Sequence, residues 1–378
     1  MKATPIFRAR GFILAAALGV SIGFTSLAFA QYAPVIVNPD GKVTYLGTPG
    51  GDSIQAVDIN DVGQVVGYSY TVVDDFFSGY AFITGPNGMG IMTDLGTLGG
   101  SISKARSIND AGQVAGSSTT TGDLSAHAFI TGPNGMGMTD LGTLGGSSSS
   151  ATGINNAGQV VGESETADGS LHAFITGPNG MGMTDLGTLG GSSSSASDIN
   201  DAGQVVGSSQ TANGSHHAFI TGPNGMGMTD LGTLGGSSSS ASDINDAGQV
   251  VGSSGTADAS NRAFFTGPNG IGMTDLGALG GNSSFATGIN DAGQVVGSSI
   301  GYAFITGPDG KGMTDLNSIV NFPGGHLNTA EGINNLGQVI AVAVIPEPAS
   351  YALMLAGLGL VGFLARRKKQ TGNTIARG

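Results

Sequence analysis

Short apolar runs alternate with glycine-rich turns through the middle of the chain, and one unit of this pattern recurs. Between Thr184 and Met228, four short segments are separated by Asp-Ala-Gly, Ala-Asn-Gly and Gly-Pro-Asn-Gly. Segments bounded by such turns predict β-strands, and no segment of the repeats has a helical period. We predict strands at Ser195–Asn200, Gln204–Gln210, His216–Thr221 and Gly227–Gly232, followed by a Gly-Ser linker at Gly235–Ser240.

The unit repeats at intervals of 44 to 49 residues. A Gly-Gln-Val motif marks the period, with its glutamine at Gln64, Gln113, Gln159, Gln204, Gln249, Gln294 and Gln338. The runs Val205-Val206 and Ala218-Phe219-Ile220 are continuously apolar, which predicts sheets that are buried on both faces. Units of about 45 residues with four strands are typical of propeller blades. The predicted fold is an all-β, seven-bladed β-propeller.

The two ends of the repeat region predict how the ring closes. Tyr32–Gly47 aligns with the third and fourth strands of the unit, and Thr329–Val344 aligns with the first and second. Together these N- and C-terminal half-blades complete a seventh blade, which removes free sheet edges. An open β-solenoid is the alternative fold, but it needs caps that the sequence does not contain.

Both ends of the chain are interpreted as targeting segments. Residues 1–30 have a basic start, an apolar stretch and small residues at Ala28 and Ala30, which predicts a cleaved signal peptide. An uncleaved N-terminal anchor is the alternative. The predicted domains are the signal peptide at 1–30, the propeller at 31–345, a C-terminal sorting signal at 346–369 and a tail at 370–378.

Composition and charge narrow the functional classes. The chain has no Cys, so an exported domain has to be stabilised without disulfides. Between Gln31 and Glu347 there are five basic and 26 acidic residues, a formal charge of −21. Such a surface repels nucleic acid and anionic lipid and attracts cations, although solubility alone also explains it.

The C-terminal region resembles the PEP-CTERM sorting signal of Gram-negative bacteria. The matching residues are Pro346, Glu347 and Pro348, the apolar stretch Ser350–Ala365, and the basic pair Arg366 and Arg367. The resemblance implies a short transmembrane helix, recognition by an exosortase, inner-membrane anchoring before processing, and then a cell-surface or extracellular location in a cell that produces exopolysaccharide. The tail at 370–378 departs from the pattern, and an ordinary tail anchor is the alternative.

The repeats also resemble the HAF family of probable extracellular repeats. The motif is His127-Ala128-Phe129, and it recurs at His172 and His217, while Tyr80, Arg262 and Tyr302 replace the histidine in other copies. This resemblance implies export and no particular activity.

Candidate chemistry is limited to one recurring turn. No nucleophile, base and acid set can be assembled, and the histidines are interpreted as strand-surface residues rather than metal ligands. The Asp-Ile-Asn-Asp-Ala-Gly turn partly matches a calcium loop but lacks the bidentate glutamate, and a plain hairpin turn is the alternative. Calcium is therefore the one cofactor considered, with nine candidate ligands: Asp58, Asn60, Asp61, Asp198, Asn200, Asp201, Asp243, Asn245 and Asp246.

These observations predict a non-enzymatic surface or matrix protein that binds exopolysaccharide or a protein partner. A carbohydrate-active propeller enzyme and a purely structural spacer are the alternatives. An enzyme needs unlike groups at one site, and only the irregular segments Val72–Gly79 and Asn317–Asn328 break the near-identity of the copies. We expect these two segments to lie near the closure.

Overall fold

A computed structural model describes residues 31–47, 53–73, 76–90, 92–123, 125–323 and 325–345. Tyr32–Ile345 form one compact unit. The signal peptide, the residues after Ile345 and the acids Asp74 and Asp75 lie outside the described residues, as does the predicted transmembrane helix at Ser350–Ala365. In the part of the chain that is described, no helix is long and apolar enough to cross a membrane.

The described chain consists of short strands and single 3₁₀ turns. The strands of the first half are β1 (Gln31–Val37), β2 (Val43–Tyr45), β3 (Ser53–Ile59), β4 (Val65–Val73), β5 (Phe76–Ile83), β6 (Thr93–Asp94), β7 (Gly99–Ile108), β8 (Val114–Thr120), β9 (Ala126–Thr131), β10 (Met138–Asp140), β11 (Gly145–Ile154), β12 (Val160–Thr166), β13 (Leu171–Thr176) and β14 (Met183–Asp185). The strands of the second half are β15 (Gly190–Ile199), β16 (Val205–Thr211), β17 (His216–Thr221), β18 (Met228–Gly232), β19 (Gly235–Ile244), β20 (Val250–Thr256), β21 (Asn261–Thr266), β22 (Met273–Asp275), β23 (Phe285–Ile289), β24 (Val295–Ser299), β25 (Tyr302–Ile305), β26 (Thr314–Asp315), β27 (His326–Ile333) and β28 (Val339–Ile345).

The 3₁₀ turns join the third and fourth strands of the repeats. Each has the sequence Pro-Asn-Gly or Pro-Asp-Gly, and its middle residue is left-handed, as at Asn224 with φ 54°. Asn and Asp tolerate this conformation better than other non-glycine residues, which explains why they occupy the position. The turns lie at Pro86–Gly88, Pro133–Gly135, Pro178–Gly180, Pro223–Gly225, Pro268–Gly270 and Pro308–Gly310, and a seventh 3₁₀ turn at Leu316–Ser318 precedes β27.

Four-stranded antiparallel sheets repeat along the chain, as predicted. The order β15-β16-β17-β18 is typical, and the repeats that begin at β11, β19 and β23 have the same order. The repeats that begin at β3 and β7 share one eight-stranded sheet, because β5 and β7 make a parallel contact at Gly79 and Ile102.

The two ends of the repeat region meet in a single sheet. Its order is β2-β1-β28-β27, so it combines the N-terminal and C-terminal half units, as the alignment predicts. The segment Asn317–Asn328 packs against this junction: the rings of Phe322 and Tyr45 are 5.9 Å apart, and Asn317 exchanges hydrogen bonds with the main chain of Leu327. In the other irregular segment, Val72–Gly79, the described residues Val72, Val73 and 76–79 extend the pairing of β4 with β5.

The first strand of the unit is longer than predicted, and the predicted Gly-Ser linker is wrong. β15 begins at Gly190 and β19 at Gly235, so the serines belong to the strands. Ser194 is buried, and its hydroxyl accepts a hydrogen bond from Ala173 N and donates one to Gly187 O. The segment forms a strand because its buried hydroxyls hydrogen-bond to the preceding repeat.

The apolar core lies between neighbouring sheets, which confirms burial on both faces. Phe219 is fully buried and belongs to a cluster that contains Val161 and Ile175 of the preceding repeat and Ile199 and Val205 of its own. Equivalent phenylalanines are buried in the other complete repeats: Phe82, Phe129, Phe174, Phe264 and Phe304. A single sheet cannot bury these side chains without its neighbours.

Candidate functional site at the ring of turns

A closed ring of hydrogen bonds joins the turns between the first and second strands. One asparagine from each turn donates its Nδ2 hydrogen to the main-chain oxygen of the next asparagine, over 2.9–3.2 Å. The last member bonds back to the first, so residues 274 positions apart in sequence are in contact. The asparagine ring consists of Asn60, Asn109, Asn155, Asn200, Asn245, Asn290 and Asn334.

Each ring asparagine is held by the glutamine that marks the repeat. Asn200 Oδ1 accepts from Gln204 N, and Asn200 Nδ2 also donates to Gln204 Oε1, both at 2.9 Å. Gln204 Nε2 then reaches Asn269 Oδ1 in the 3₁₀ turn of the next repeat at 3.2 Å. Gly203, with φ +75°, provides the left-handed position that this hairpin turn requires. The recurring Asn and Gln therefore hold neighbouring repeats together.

A second ring, formed by the next residue of each turn, contains five of the eight carboxylates that line the central cavity. Each member donates its main-chain N–H to the side-chain oxygen of the following member, over 2.8–3.1 Å. The carboxylate ring consists of Asp61, Asp110, Asn156, Asp201, Asp246, Asp291 and Asn335. Two of its positions are therefore amides rather than acids.

These amides reduce repulsion between the carboxylates. Asn156 Nδ2 donates to Asp110 Oδ2 and Asp201 Oδ2, both at 3.1 Å, and Asn335 bridges Asp61 and Asp291 in the same way. Asp246 has acids on both sides. Partial burial is the main cause that raises its pKa, and the charges of Asp201 and Asp291 add to it.

Three further acids lie just inside the rings. Asp58, Asp198 and Asp243 occupy a position where the other copies have Ser107, Gly153, Gly288 and Gly332. Protein surrounds the three side chains, although part of each reaches a central cavity. Burial raises the pKa of Asp58, despite hydrogen bonds from Ile108 N and the Ser107 hydroxyl to its Oδ2.

Asp198 and Asp243 form an interacting pair. Both accept from Ile244 N, Asp243 Oδ1 at 2.7 Å and Asp198 Oδ2 at 3.4 Å. Burial and the neighbouring Asp243 raise the pKa of Asp198 well above its usual range, and burial also raises the pKa of Asp243. The side-chain hydrogen bond between the two carboxyls adds to the raised pKa of Asp198 and opposes the rise of the pKa of Asp243, and the two groups titrate as a pair.

We expect Asp198→Asn to stabilise the protein at neutral pH. A carboxyl whose folded pKa is raised costs no stability below its unfolded pKa, and the full cost is present above its folded pKa. The gain from the substitution should therefore be absent near pH 3, grow as the pH rises from the unfolded pKa to the raised folded pKa of Asp198, and stay constant above it. Urea unfolding of both proteins from pH 3 to pH 8 measures this difference in the free energy of unfolding. A difference that is the same at both ends of the range would contradict the prediction.

All nine predicted calcium ligands line this one cavity of about 190 Å³. They converge from three separate turns of the ring, whereas a calcium loop gathers its ligands within one turn. The asparagine oxygens already accept hydrogen bonds, as Asn60 Oδ1 does from Gln64 N. Among the described residues, no group of three or more His, Cys, Asp or Glu side chains has a geometry that holds a metal ion. Calcium binding stays a prediction.

The histidines of the repeats pair with acids that the sequence analysis did not single out. Nδ1 of His127, His172 and His217 lies 2.8–2.9 Å from Oδ2 of Asp140, Asp185 and Asp230, respectively. Each pair connects the third strand to the fourth, where the aspartate also accepts from the main chain two residues later, as Asp185 does from Gly187 N. The sequence does contain a signal for these pairs, because an aspartate follows each of the three histidines by 13 residues.

Exposed apolar side chains recur on the 3₁₀ turns. The residue after Pro-Asn-Gly is 63–73% exposed in five successive repeats, at Met89, Met136, Met181, Met226 and Ile271. We call this set the methionine arc. In the other two copies, Lys42 and Lys311 make the same main-chain contact at this position, since their carbonyls accept from Asn38 N and Gly307 N. Gln204 bonds both to Asn200 of the asparagine ring and to Asn269 in a 3₁₀ turn of the arc. The arc and the rings are therefore on the same side of the sheets.

Comparison with known proteins identifies the C-terminal signal. Residues 344–369 match the PEP-CTERM protein-sorting motif, a range that includes Pro346, Glu347, Pro348, Arg366 and Arg367. The prediction of this motif is confirmed. The chain is therefore an exported protein that an exosortase sorts at the membrane. No curated protein matches the chain.

Solved structures similar to the chain include β-propellers. The β-propeller domain of the Trilobed protease from Pyrococcus furiosus is 9% identical, with a TM-score of 0.53 over 78% of this chain and 91% of that one. A prolyl endopeptidase is 11% identical, with a TM-score of 0.50 over 76% of this chain and 45% of that one. A protein assigned as TolB from Agrobacterium tumefaciens is 13% identical, with a TM-score of 0.48 over 84% and 100% of the two chains. At such low identity, the similarity to the Pyrococcus furiosus domain shows a propeller-like fold alone.

Proposed function

We propose that this chain is a non-enzymatic surface or matrix protein of the HAF-repeat type, whose seven-bladed propeller binds exopolysaccharide outside the cell. The sorting motif supports export, and the resemblance to PEP-CTERM signals implies a cell that makes exopolysaccharide. The signal peptide with cleavage after Ala30, the transmembrane helix and the release of the anchor belong to the same proposal.

The two rings support the blade count. Seven turns contribute one residue each to the asparagine ring, and the seventh turn bonds to the first. The sheet that contains both ends of the repeat region supplies the seventh blade. In this arrangement each sheet buries both faces, and the shared sheet ties the ring shut without a disulfide.

The observation that carries the binding function is the recurrence of exposed apolar groups on the methionine arc. A Met side chain that is about 70% exposed in successive repeats adds little to packing, as at Met181 and Met226. A polymer with repeating units meets the same group at each repeat, and several weak contacts then combine into a much tighter one. Methionine suits this purpose because its flexible side chain adapts to irregular surfaces.

The near-identity of the repeats favours binding over catalysis. The Ser residues of the first strands are engaged in main-chain hydrogen bonds, as at Ser239, and the His side chains are paired with Asp. A carbohydrate-active enzyme and a structural spacer remain the alternatives, and hydrolysis of the polymer or a lack of any binding would favour them.

Co-sedimentation of the full chain, purified in detergent, with the producing cell's own exopolysaccharide tests the proposal. We expect saturable binding without hydrolysis. The triple variant Met136→Ser, Met181→Ser and Met226→Ser should bind at least about tenfold more weakly. Each Met side chain that the polymer buries completely on binding contributes roughly 1.5–3 kcal/mol.

A matched control removes exposed apolar side chains elsewhere. The variant Tyr32→Ser, Leu171→Ser and Tyr302→Ser replaces residues that are 63%, 38% and 47% exposed, and it should keep the affinity of the unmodified chain. Equal losses in both triple variants would contradict a role for the arc. Running the assay with calcium and with a chelator tests the calcium prediction, because only calcium-dependent binding weakens with chelator.

A further inference from the structure

One cluster of aromatic and basic side chains breaks the repeat. The ring centroids of Tyr68 and Tyr70 are 5.0 Å apart in an edge arrangement, and the Tyr68 hydroxyl donates to Gln55 Oε1. Lys104 Nζ lies 5.6 Å from the centroid of Tyr68 and 5.7 Å from that of Tyr70, and Arg106 Cζ lies 5.7 Å from that of Tyr68. We call these five residues the tyrosine–cation cluster.

The fold does not require this cluster. In the repeat of β15 and β16, strand register places Ser208 and Gln210 at the positions of the two tyrosines, and Ser195 and Ser197 at the positions of the two cations. That repeat forms the same four-stranded sheet. Large aromatic and charged residues have therefore replaced smaller, uncharged polar ones at a single junction between repeats.

The cluster concentrates positive charge on a protein that has little of it. Lys104 and Arg106 are two of the five basic residues between Gln31 and Glu347. Among the described residues, the only ion pairs within 4.0 Å are the three His–Asp pairs, so neither cation has a carboxylate partner there. Arg106 is exposed and Lys104 half-buried, so both are accessible from solvent.

The tyrosine rings hold the two cations without neutralising them. A cation over an aromatic ring is attracted to the face of the ring, which leaves its N–H groups able to bind an anion. Burial raises the pKa of both Tyr68 and Tyr70, so the phenols stay neutral at physiological pH. The cluster therefore combines two fixed positive charges, the half-buried ring of Tyr70 and the exposed Gln55 amide, whereas Tyr68 itself is buried.

We propose that the tyrosine–cation cluster binds the carboxylate-bearing sugar units of an acidic polysaccharide. This rests on the proposed function and specifies the chemical class of its polymer. The carboxylate pairs with Lys104 and Arg106, while the ring of Tyr70 and the amide of Gln55 contact the sugar ring and its hydroxyls. At physiological salt the Debye length is about 8 Å, so charges farther from the site than this are largely screened.

Binding of the full chain to a polyuronate tests this, with polygalacturonate as the probe and its methyl ester as the uncharged control on the same backbone. We expect binding to polygalacturonate at 0.15 M salt and at least about tenfold weaker binding to the ester. The double variant Lys104→Ser and Arg106→Ser should lose at least about tenfold in affinity for polygalacturonate. Serine stands at the equivalent positions Ser195 and Ser197, so the variant is expected to fold.

The matched control is Lys42→Ser with Lys311→Ser, which removes two exposed lysines elsewhere and should leave the affinity unchanged. Equal binding to the acid and the ester, an unchanged affinity in the Lys104 and Arg106 variant, or no binding to polygalacturonate would each overturn the inference. The proposed function is judged separately, because it fails only if the unmodified chain does not bind the producing cell's exopolysaccharide.

Discussion

Gly207→Ala is expected to destabilise the protein by about 3 kcal/mol or more. A Cβ at this position would lie 2.1 Å from the main-chain oxygen of Ser195 and 2.8 Å from Ala196 Cα, on the strand paired with β16. Neither contact is with a flexible side chain, so the two strands would have to separate. Equivalent glycines elsewhere are equally close to the first strand, at 1.9–2.1 Å: Gly67, Gly116, Gly162, Gly252 and Gly297.

Urea unfolding followed by circular dichroism measures this effect. Gly47→Ala is the matched control, because a Cβ at Gly47 meets nothing within 4 Å and its φ is not in the left-handed region. The control should change the free energy of unfolding by no more than about 1 kcal/mol. A Gly207→Ala protein as stable as the control would show that the first two strands are not packed as described.

The repeat organisation could be predicted from the sequence, but the extent of the first strand could not. Regular spacing of Gln204 and Phe219 located the units, and the half units at the ends predicted the shared sheet. The Gly-Ser segment at Gly190–Ser195 has the composition of a flexible linker, because composition reports only that its side chains are small and polar. The hydrogen bond from Ala173 N to the Ser194 hydroxyl depends on the preceding repeat, which local sequence does not encode.

In the candidate site too, the sequence predicted the residues but not the contacts between them. The candidate ligands Asp58, Asn200 and Asp243 were found because the turn recurs, and all three line the central cavity. Their arrangement depends on ring closure, since Asn200 bonds to Asn245 in the next turn rather than to an ion within its own. A search confined to one turn therefore finds the residues and misses their geometry.

The tyrosine–cation cluster was missed for a related reason. Its members lie on β3, β4 and β7, so no single segment of sequence contains the pattern. The available signal was the departure from the repeat: Tyr68 and Lys104 stand where the plainest unit has Ser208 and Ser195. In a chain of near-identical copies, the positions that differ are the ones to examine for binding.

Ring closure aligns the methionine arc and brings the two ends of the repeat region together, so the proposed fold and function both depend on it. Asn335 Nδ2 lies 3.1 Å from Asp61 Oδ2 across the closure. In an open solenoid, six sheet spacings of about 10 Å would separate these residues by roughly 60 Å. The chain contains no Cys, so a pair of introduced thiols reports on this contact without interference.

Cross-linking of the double variant Asp61→Cys and Asn335→Cys with a short thiol reagent is the most direct test. Reaction in dilute solution should give nearly complete intramolecular cross-linking, detected by mass spectrometry, and denaturation in urea before the reaction should abolish it. The pair Asp61→Cys and Asp201→Cys has no direct contact in the carboxylate ring and should react much less. If the thiols introduced in place of Asp61 and Asn335 do not cross-link in the folded protein, the ring is open and the closed propeller is contradicted.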